Sequence, residues 1–190
     1  MQGKFPLIGL AAAAQSGKST VAGMLVKRSG YQEISFAEPI RQFVCDLVGI
    51  RREELEPVKE DVIAWVGKSP RQMMQSLGTQ WGRECVNQNF WCDRVIAEVT
   101  RNPGTRYVIS DVRFENEARA IRNAGGVIIH LSRPDGRRTV VDHASEAGIR
   151  QVPGLDFRIV NDGTLDDLAQ NVAACQYAIW KSRGLEHFTC

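Results

Sequence analysis

Residues 5–20 read FPLIGLAAAAQSGKST, an apolar run that breaks into a loop of small and polar residues. Phe5 to Leu10 has the composition of an interior strand. From Ser19 to Arg28 the spacing of Val21, Met24 and Leu25 puts three apolar side chains on one helical face. Between strand and helix stands Ala12-x-x-x-x-Gly17-Lys18-Ser19, where main-chain N–H groups and the helix N-terminus can surround a phosphate. In this arrangement Lys18 reaches the β and γ phosphates, and the Ser19 hydroxyl ligates the Mg²⁺ that bridges them. Ala13, Ala14, Gln15, Ser16, Gly17 and Thr20 complete the nucleotide-binding set. The usual first glycine is replaced by Ala12, which costs about 1 kcal/mol if that position needs a positive φ. The local alternative is a plain helix start capped by Ser16.

Working outward, Tyr31 to Phe36 reads as a second strand. The helix after it carries Ile40, Phe43, Val44, Leu47 and Val48 at core-facing spacing. Residues 51 to 101 are helical in flavour, with breaks near Pro57 and at Ser69-Pro70. Arg106 to Ser110 is a third strand that ends at Asp111, Phe114 to Ala124 a helix, and Val127 to Leu131 a fourth strand. Residues 132–155 are charged and broken by Pro and Gly, as a lid-like segment is. Phe157 to Val160 is a fifth strand, and Leu165, Leu168, Val172, Cys175 and Ile179 mark one face of a closing helix. The expected fold is therefore α/β: a five-stranded parallel sheet flanked by helices, with function at the carboxyl ends of the strands. It is read as one domain over 1–190, with a helical acceptor-binding region over about 37–101 and a lid over about 132–155.

The chain has 190 residues, 43% of them hydrophobic, enough for a sizeable core. Its 24 Lys and Arg against 22 Asp and Glu leave a net charge of +2, too balanced for stable nucleic-acid binding through bulk charge. Phosphate recognition has to be local. Five cysteines with no C-x-x-C pair fit a reducing cytoplasm. Lys4 with the following apolar run has some look of a signal peptide, but ten apolar residues are too few to span a bilayer, and they lead directly into the phosphate-binding loop. No membrane association is expected.

Several further stretches fit together around that loop: SFAEPIRQF at 35–43, SPRQMMQSLGTQWGR at 69–83, FW at 90–91, SDVRFENEARAIRNAGG at 110–126, LSRP at 131–134, HASE at 143–146 and NDGTLDDL at 161–168. In this order and over nearly the whole chain, the sequence resembles the phage-type deoxynucleoside monophosphate kinases, a branch of the P-loop nucleoside monophosphate kinases. Many family members carry Asp where this chain has Ser19. The resemblance implies transfer of the γ-phosphoryl of ATP to a dNMP, giving dNDP and ADP, with Mg²⁺. It also implies a cytoplasmic enzyme, in the host if phage-encoded, and a homodimer.

The chemistry asks for cations rather than a strong base. A phosphate monoester has its second pKa near 6, so the acceptor oxygen is already largely anionic at pH 7. Arg71, at a helix start, and Arg113, just past the third strand, stand where the resemblance puts the acceptor phosphate. Ordinary surface arginines are the alternative. Asp111 suits a carboxylate that holds Mg²⁺ through water or orients Arg113, or else caps the next helix. Glu115 is a candidate for the acceptor sugar or base. Arg133, Arg137 and Arg138 lie where a closing lid would bring them over the ATP phosphates. The resemblance places Asn161, Gly163 and Thr164 against the base of ATP, although a turn capped by Thr164 explains them locally. Phe36, Gln75 and Trp91 are the acceptor-base candidates, with core packing the alternative for the two aromatics. Asp142, His143 and Ser145 are too close along the chain to be read as a triad. Two other functions remain open from sequence: a kinase of dephospho-coenzyme A or another small alcohol, with Asp111 as base, and a nucleotide-binding regulator without turnover.

Overall fold

In the first strand, β1 (Ile8–Ala11), all four residues are buried, as a strand covered on both faces requires. The computed structural model describes residues 6–13, 15–133 and 149–185. Helix α1 (Lys18–Ser29) follows the loop, burying Val21, Ala22 and Leu25, and ends at Gly30 in the left-handed conformation. Then come β2 (Gln32–Ile34), α2 (Glu38–Val48), a 3₁₀ turn at Arg52–Glu54, α3 (Leu55–Val58) and α4 (Pro70–Gln75). Next are a π-helix at Ser76–Val86, α5 (Phe90–Arg101), β3 (Tyr107–Val112), α6 (Glu115–Asn123), β4 (Val127–Ser132), β5 (Phe157–Val160) and α7 (Leu165–Ser182).

The five strands form one parallel sheet in the order β2-β3-β1-β4-β5. The first strand is central, so the loop leaving it emerges mid-sheet, where strand order reverses and α/β folds place ligands. Gly9 pairs with Ile109 and Ala11 with Val112, so β3 holds one extra residue across this step. The irregularity falls at Ser110 and Asp111 and carries β3 on to Val112, past the strand end expected at Asp111. Ile8, Leu10, Val108, Val127 and Ile129 form one core with α1 and α7, to which Leu168, Val172, Cys175 and Ile179 contribute as their spacing predicts, whereas Leu165, expected on the same face, stands exposed at the first position of α7.

The chain divides into two compact units, residues 1–35 with 95–190, and residues 36–94. The first holds the sheet. The second is helical, and there the face expected for α2 is corrected. Ile40 and Val44 are buried with Cys45, but Phe43 and Leu47 are 53% and 51% exposed. These two side chains line a largely apolar cleft of about 480 Å³ with Met73, Leu77 and Trp81. The break expected near Pro57 is present, since the four-residue α3 ends at Val58. The break before α4 is real, and a bridge between Ile63 and Lys68 sits in it.

Candidate active site

Helix α1 starts at Gly17, its N-cap, with φ of +100°, and no described side chain caps the first turn. A Cβ at Gly17 would lie 2.7 Å from Nδ2 of Asn161. Gly17 brings no side chain to that first turn, and the helix dipole favours an anion there. The Lys18 ammonium donates to the main-chain oxygens of Ala12 and, at 3.2 Å, Ala13, so it folds back over the loop. The Ser16 hydroxyl donates to the Ala13 oxygen at 2.7 Å and thus braces the loop rather than capping the helix. Ser19 and Thr20 are exposed on the first turn. Positive φ falls on Gln15, at 60°, and on Gly17, not on Ala12, so the alanine in place of the usual first glycine carries no backbone strain. Ala14 lies outside the described residues.

Asn161 ties this loop to the far strand. Its main-chain N–H donates to the Ser132 oxygen at 2.8 Å, and its side-chain amide donates to the Ser16 oxygen at 3.0 Å. Gly163 and Thr164 are exposed beside it. Thr164 caps α7 by accepting from the Asp167 N–H, while the Asp167 carboxylate accepts from the Thr164 N–H at 2.8 Å and hydroxyl at 2.7 Å. Those two donors hold the Asp167 carboxyl below the usual range.

Across the sheet, Asp111 is partly buried in β3 beside the strand that feeds the loop, because its neighbour Val112 pairs with Ala11. Arg113 follows it and is exposed, as is Arg133 at the end of β4. Arg137 and Arg138 lie outside the described residues, as do Asp142, His143 and Ser145.

Within the helical unit, the SPRQ sequence builds a complete N-terminal cap for α4. The Ser69 hydroxyl accepts from the Gln72 N–H, the Gln72 side chain accepts from the Ser69 N–H at 3.0 Å, and Pro70 occupies the first turn. Arg71 then stands next to the cap, its N–H on the Lys59 oxygen at 2.9 Å and its guanidinium paired with Glu60. Gln75 is four residues on, exposed on the same helix face as Arg71. Phe36 and Trp91 are different: they are 3% and 8% exposed. The Trp91 indole N–H donates to the Gly78 oxygen at 3.0 Å, and its ring packs edge-on against Phe90 at 4.9 Å. Neither aromatic offers a free face, so the packing alternative describes both in this structure.

A model of the deoxynucleotide monophosphate kinase family matches residues 52–172. A protein of Acanthamoeba polyphaga mimivirus that carries this family's name is 31% identical, over 89% of this chain and 95% of its own length. The chain belongs to the deoxynucleotide monophosphate kinase family. A deoxynucleoside-5'-monophosphate kinase of Escherichia phage T5 is also 31% identical, over 48% of this chain and 39% of its own. Among solved structures, a gluconokinase from Sinorhizobium meliloti 1021 superimposes with a TM-score of 0.52 at 11% identity, over 99% of this chain and 100% of that one. That likeness concerns the fold.

In this family member the sequence reading overlooked the charged groups behind the site. The Glu117 carboxylate, 3% exposed, accepts from the main-chain N–H groups of Arg113 at 2.7 Å and Phe114 at 3.1 Å. Asp156, buried just before β5, accepts from two nitrogens of Arg122 at 2.7 and 3.1 Å and from the Val152 N–H at 2.8 Å, and lies 3.1 Å from His130 Nε2. Burial alone would raise the Asp156 carboxyl, but Arg122, the Val152 N–H and His130 together hold it below the usual range. Arg122 also binds Glu115 at 3.0 Å, and Glu115 accepts from the Arg150 N–H at 3.2 Å. Glu115, expected to face a nucleoside, is thus engaged in fastening residues 150–156 to α6. Only the Glu117 reach-back had a local signature, a Glu three residues into a helix.

Proposed function

We propose that this chain transfers the γ-phosphoryl of ATP to a deoxynucleoside monophosphate, releasing dNDP and ADP. The observation that carries the reading is the strand–loop–helix turn at Gly17, at φ of +100° where α1 begins, with the Lys18 ammonium folded over the loop, in a member of the deoxynucleotide monophosphate kinase family. The main-chain N–H groups of the loop hold the donor phosphates, and the Lys18 ammonium exchanges its loop carbonyls for β and γ oxygens. Exposed Arg71 and Arg113 grip the acceptor phosphate, each with a planar fork that matches phosphate oxygens. No general base is required, since the attacking oxygen is already anionic. Arg133, Arg137 and Arg138 neutralise charge that builds on the transferred group. The turn at Asn161, Gly163 and Thr164 borders the base of ATP, and Gln75 reads the acceptor.

Among the described residues no cluster of three or more His, Cys, Asp or Glu is placed to hold a metal. Magnesium needs no such cluster, because it keeps its waters and takes one or two protein oxygens with the substrate phosphates. The Ser19 hydroxyl and the Asp111 carboxylate are hard oxygen donors suited to that role. When bound, the ion neutralises the β and γ oxygens. Among the described residues no helix is long and apolar enough to cross a membrane.

The test is incubation with Mg-ATP and, in separate reactions, each dNMP, dephospho-coenzyme A or no acceptor, with ADP and product measured. Formation of dNDP is expected. Product from dephospho-coenzyme A alone, or ADP release that ignores every acceptor, contradicts the reading.

A further inference from the structure

We infer that Glu117 is a positioning residue for acceptor binding: its buried carboxylate fixes the main chain at Arg113 and so aims the guanidinium. The inference rests on the proposed role of Arg113. A carboxylate is costly to bury, and it is tolerated when hydrogen bonds replace the lost water. One oxygen of Glu117 receives two consecutive N–H groups, from Arg113 at 2.7 Å and Phe114 at 3.1 Å. The Phe114 bond is ordinary helix capping, since Phe114 is the N-cap of α6 and Glu117 its third residue. The Arg113 bond is additional. It reaches one residue beyond the cap, to the residue whose side chain is exposed at the carboxyl edge of the sheet.

Two donors converging on one oxygen constrain the peptide planes on both sides of the Arg113 Cα, so the direction of its Cβ is set. The turn is anchored at both ends. Val112, immediately before it, is locked in register with Ala11, and Ala118, immediately after Glu117, is fully buried. A long side chain on such a base searches fewer conformations before it meets a phosphate, and less ordering entropy is lost on binding. Capping by itself predicts only a change in stability. Positioning predicts a change in acceptor use that disappears once the Arg113 side chain is gone.

The experiment is a double-mutant cycle of Glu117→Ala and Arg113→Ala, with acceptor KM, kcat, Mg-ATP affinity and melting temperature measured for each variant. Glu117→Ala is expected to raise the dNMP KM about tenfold while Mg-ATP affinity changes less than about twofold. In the Arg113→Ala background the same substitution is expected to add less than about twofold. Glu117→Gln, whose amide oxygen can accept both N–H groups, is expected to stay within about threefold of the parent KM. Independent multiplication of the two effects, or an unchanged dNMP KM in Glu117→Ala, overturns the inference while leaving the kinase reading standing. An unchanged dNMP KM in Arg113→Ala alone overturns the acceptor role of that arginine and the inference with it. Should Glu117→Ala not fold, hydrogen exchange on the parent protein decides. Protected Arg113 and Phe114 amides support the clamp, and exchange at unprotected rates overturns it.

Discussion

The Asn161 side-chain amide donates to the Ser16 main-chain oxygen at 3.0 Å, joining the end of β5 to the loop between β1 and α1 across 145 positions of sequence. The loop is thus held from outside as well as by its own Lys18 and Ser16 contacts. Asn161→Ala removes one such bond, worth about 1 kcal/mol, and should weaken Mg-ATP binding roughly fivefold. Gly17→Ala should do more. It puts a Cβ on a backbone at φ of +100° and 2.7 Å from the same amide, where the left-handed conformation alone costs about 1–2 kcal/mol. Calorimetric titration with Mg-ATP and a thermal melt check both; unchanged affinity in Gly17→Ala contradicts the loop geometry.

The Asp156 clamp makes stability depend on acid. Its carboxyl titrates below the usual range in the folded chain, so it contributes stability above the unfolded value of about pH 4. That contribution is lost as pH falls through the lower folded value. Asp156→Asn leaves the half-buried Arg122 with Glu115 as its charged partner and should cost about 1–3 kcal/mol at neutral pH. The variant should also lose less stability than the parent between about pH 5 and 2. Denaturant midpoints over that range measure both; parallel pH profiles for parent and variant contradict the assignment.

The π-helix depends on a side chain that is missing. A Cβ at Gly82 would fall 2.3 Å from the Trp91 indole nitrogen, in the place that lets Trp91 donate to the Gly78 oxygen. Gly82→Ala should therefore destabilise the protein by about 1–3 kcal/mol through overpacking. Denaturant unfolding checks this, and a stability equal to the parent's removes the packing account of Trp91.

Much of the fold was legible because β1, β3 and β4 are short apolar runs and the helices beside them have clear periodicity. Phe157–Val160 came out as read, and so did the α7 face apart from Leu165, which is exposed; the turn from β1 into α1 was legible because its spacing is local. Phe43 and Leu47 misled because periodicity marks an apolar face without saying whether anything covers it. Trp91 and Phe36 look alike as stacking platforms or as core, and only tertiary packing buried them. Asp156, Arg122 and His130 could not be seen, since residues 26 to 34 apart meet only through the order of the sheet.

Arg71→Ala should raise the dNMP KM by about tenfold or more, the loss of a charge-assisted pair of hydrogen bonds, with little change in Mg-ATP affinity. Its pairing with Glu60 predicts in addition that Glu60→Gln leaves dNMP binding intact or tightens it, because a competing carboxylate is removed. Steady-state kinetics with varied dNMP at saturating Mg-ATP test both, and a wild-type KM in Arg71→Ala contradicts the assigned role.

The most direct test follows the γ-phosphoryl itself. The protein and its Lys18→Ala variant are incubated with γ-labelled Mg-ATP and a dNMP, and the labelled products are separated. The account predicts label in dNDP in a one-to-one ratio with ADP for the parent, and a rate at least about a hundredfold lower for a folded Lys18→Ala. Label that stays in ATP, appears only as inorganic phosphate, or transfers equally well without Lys18 contradicts it.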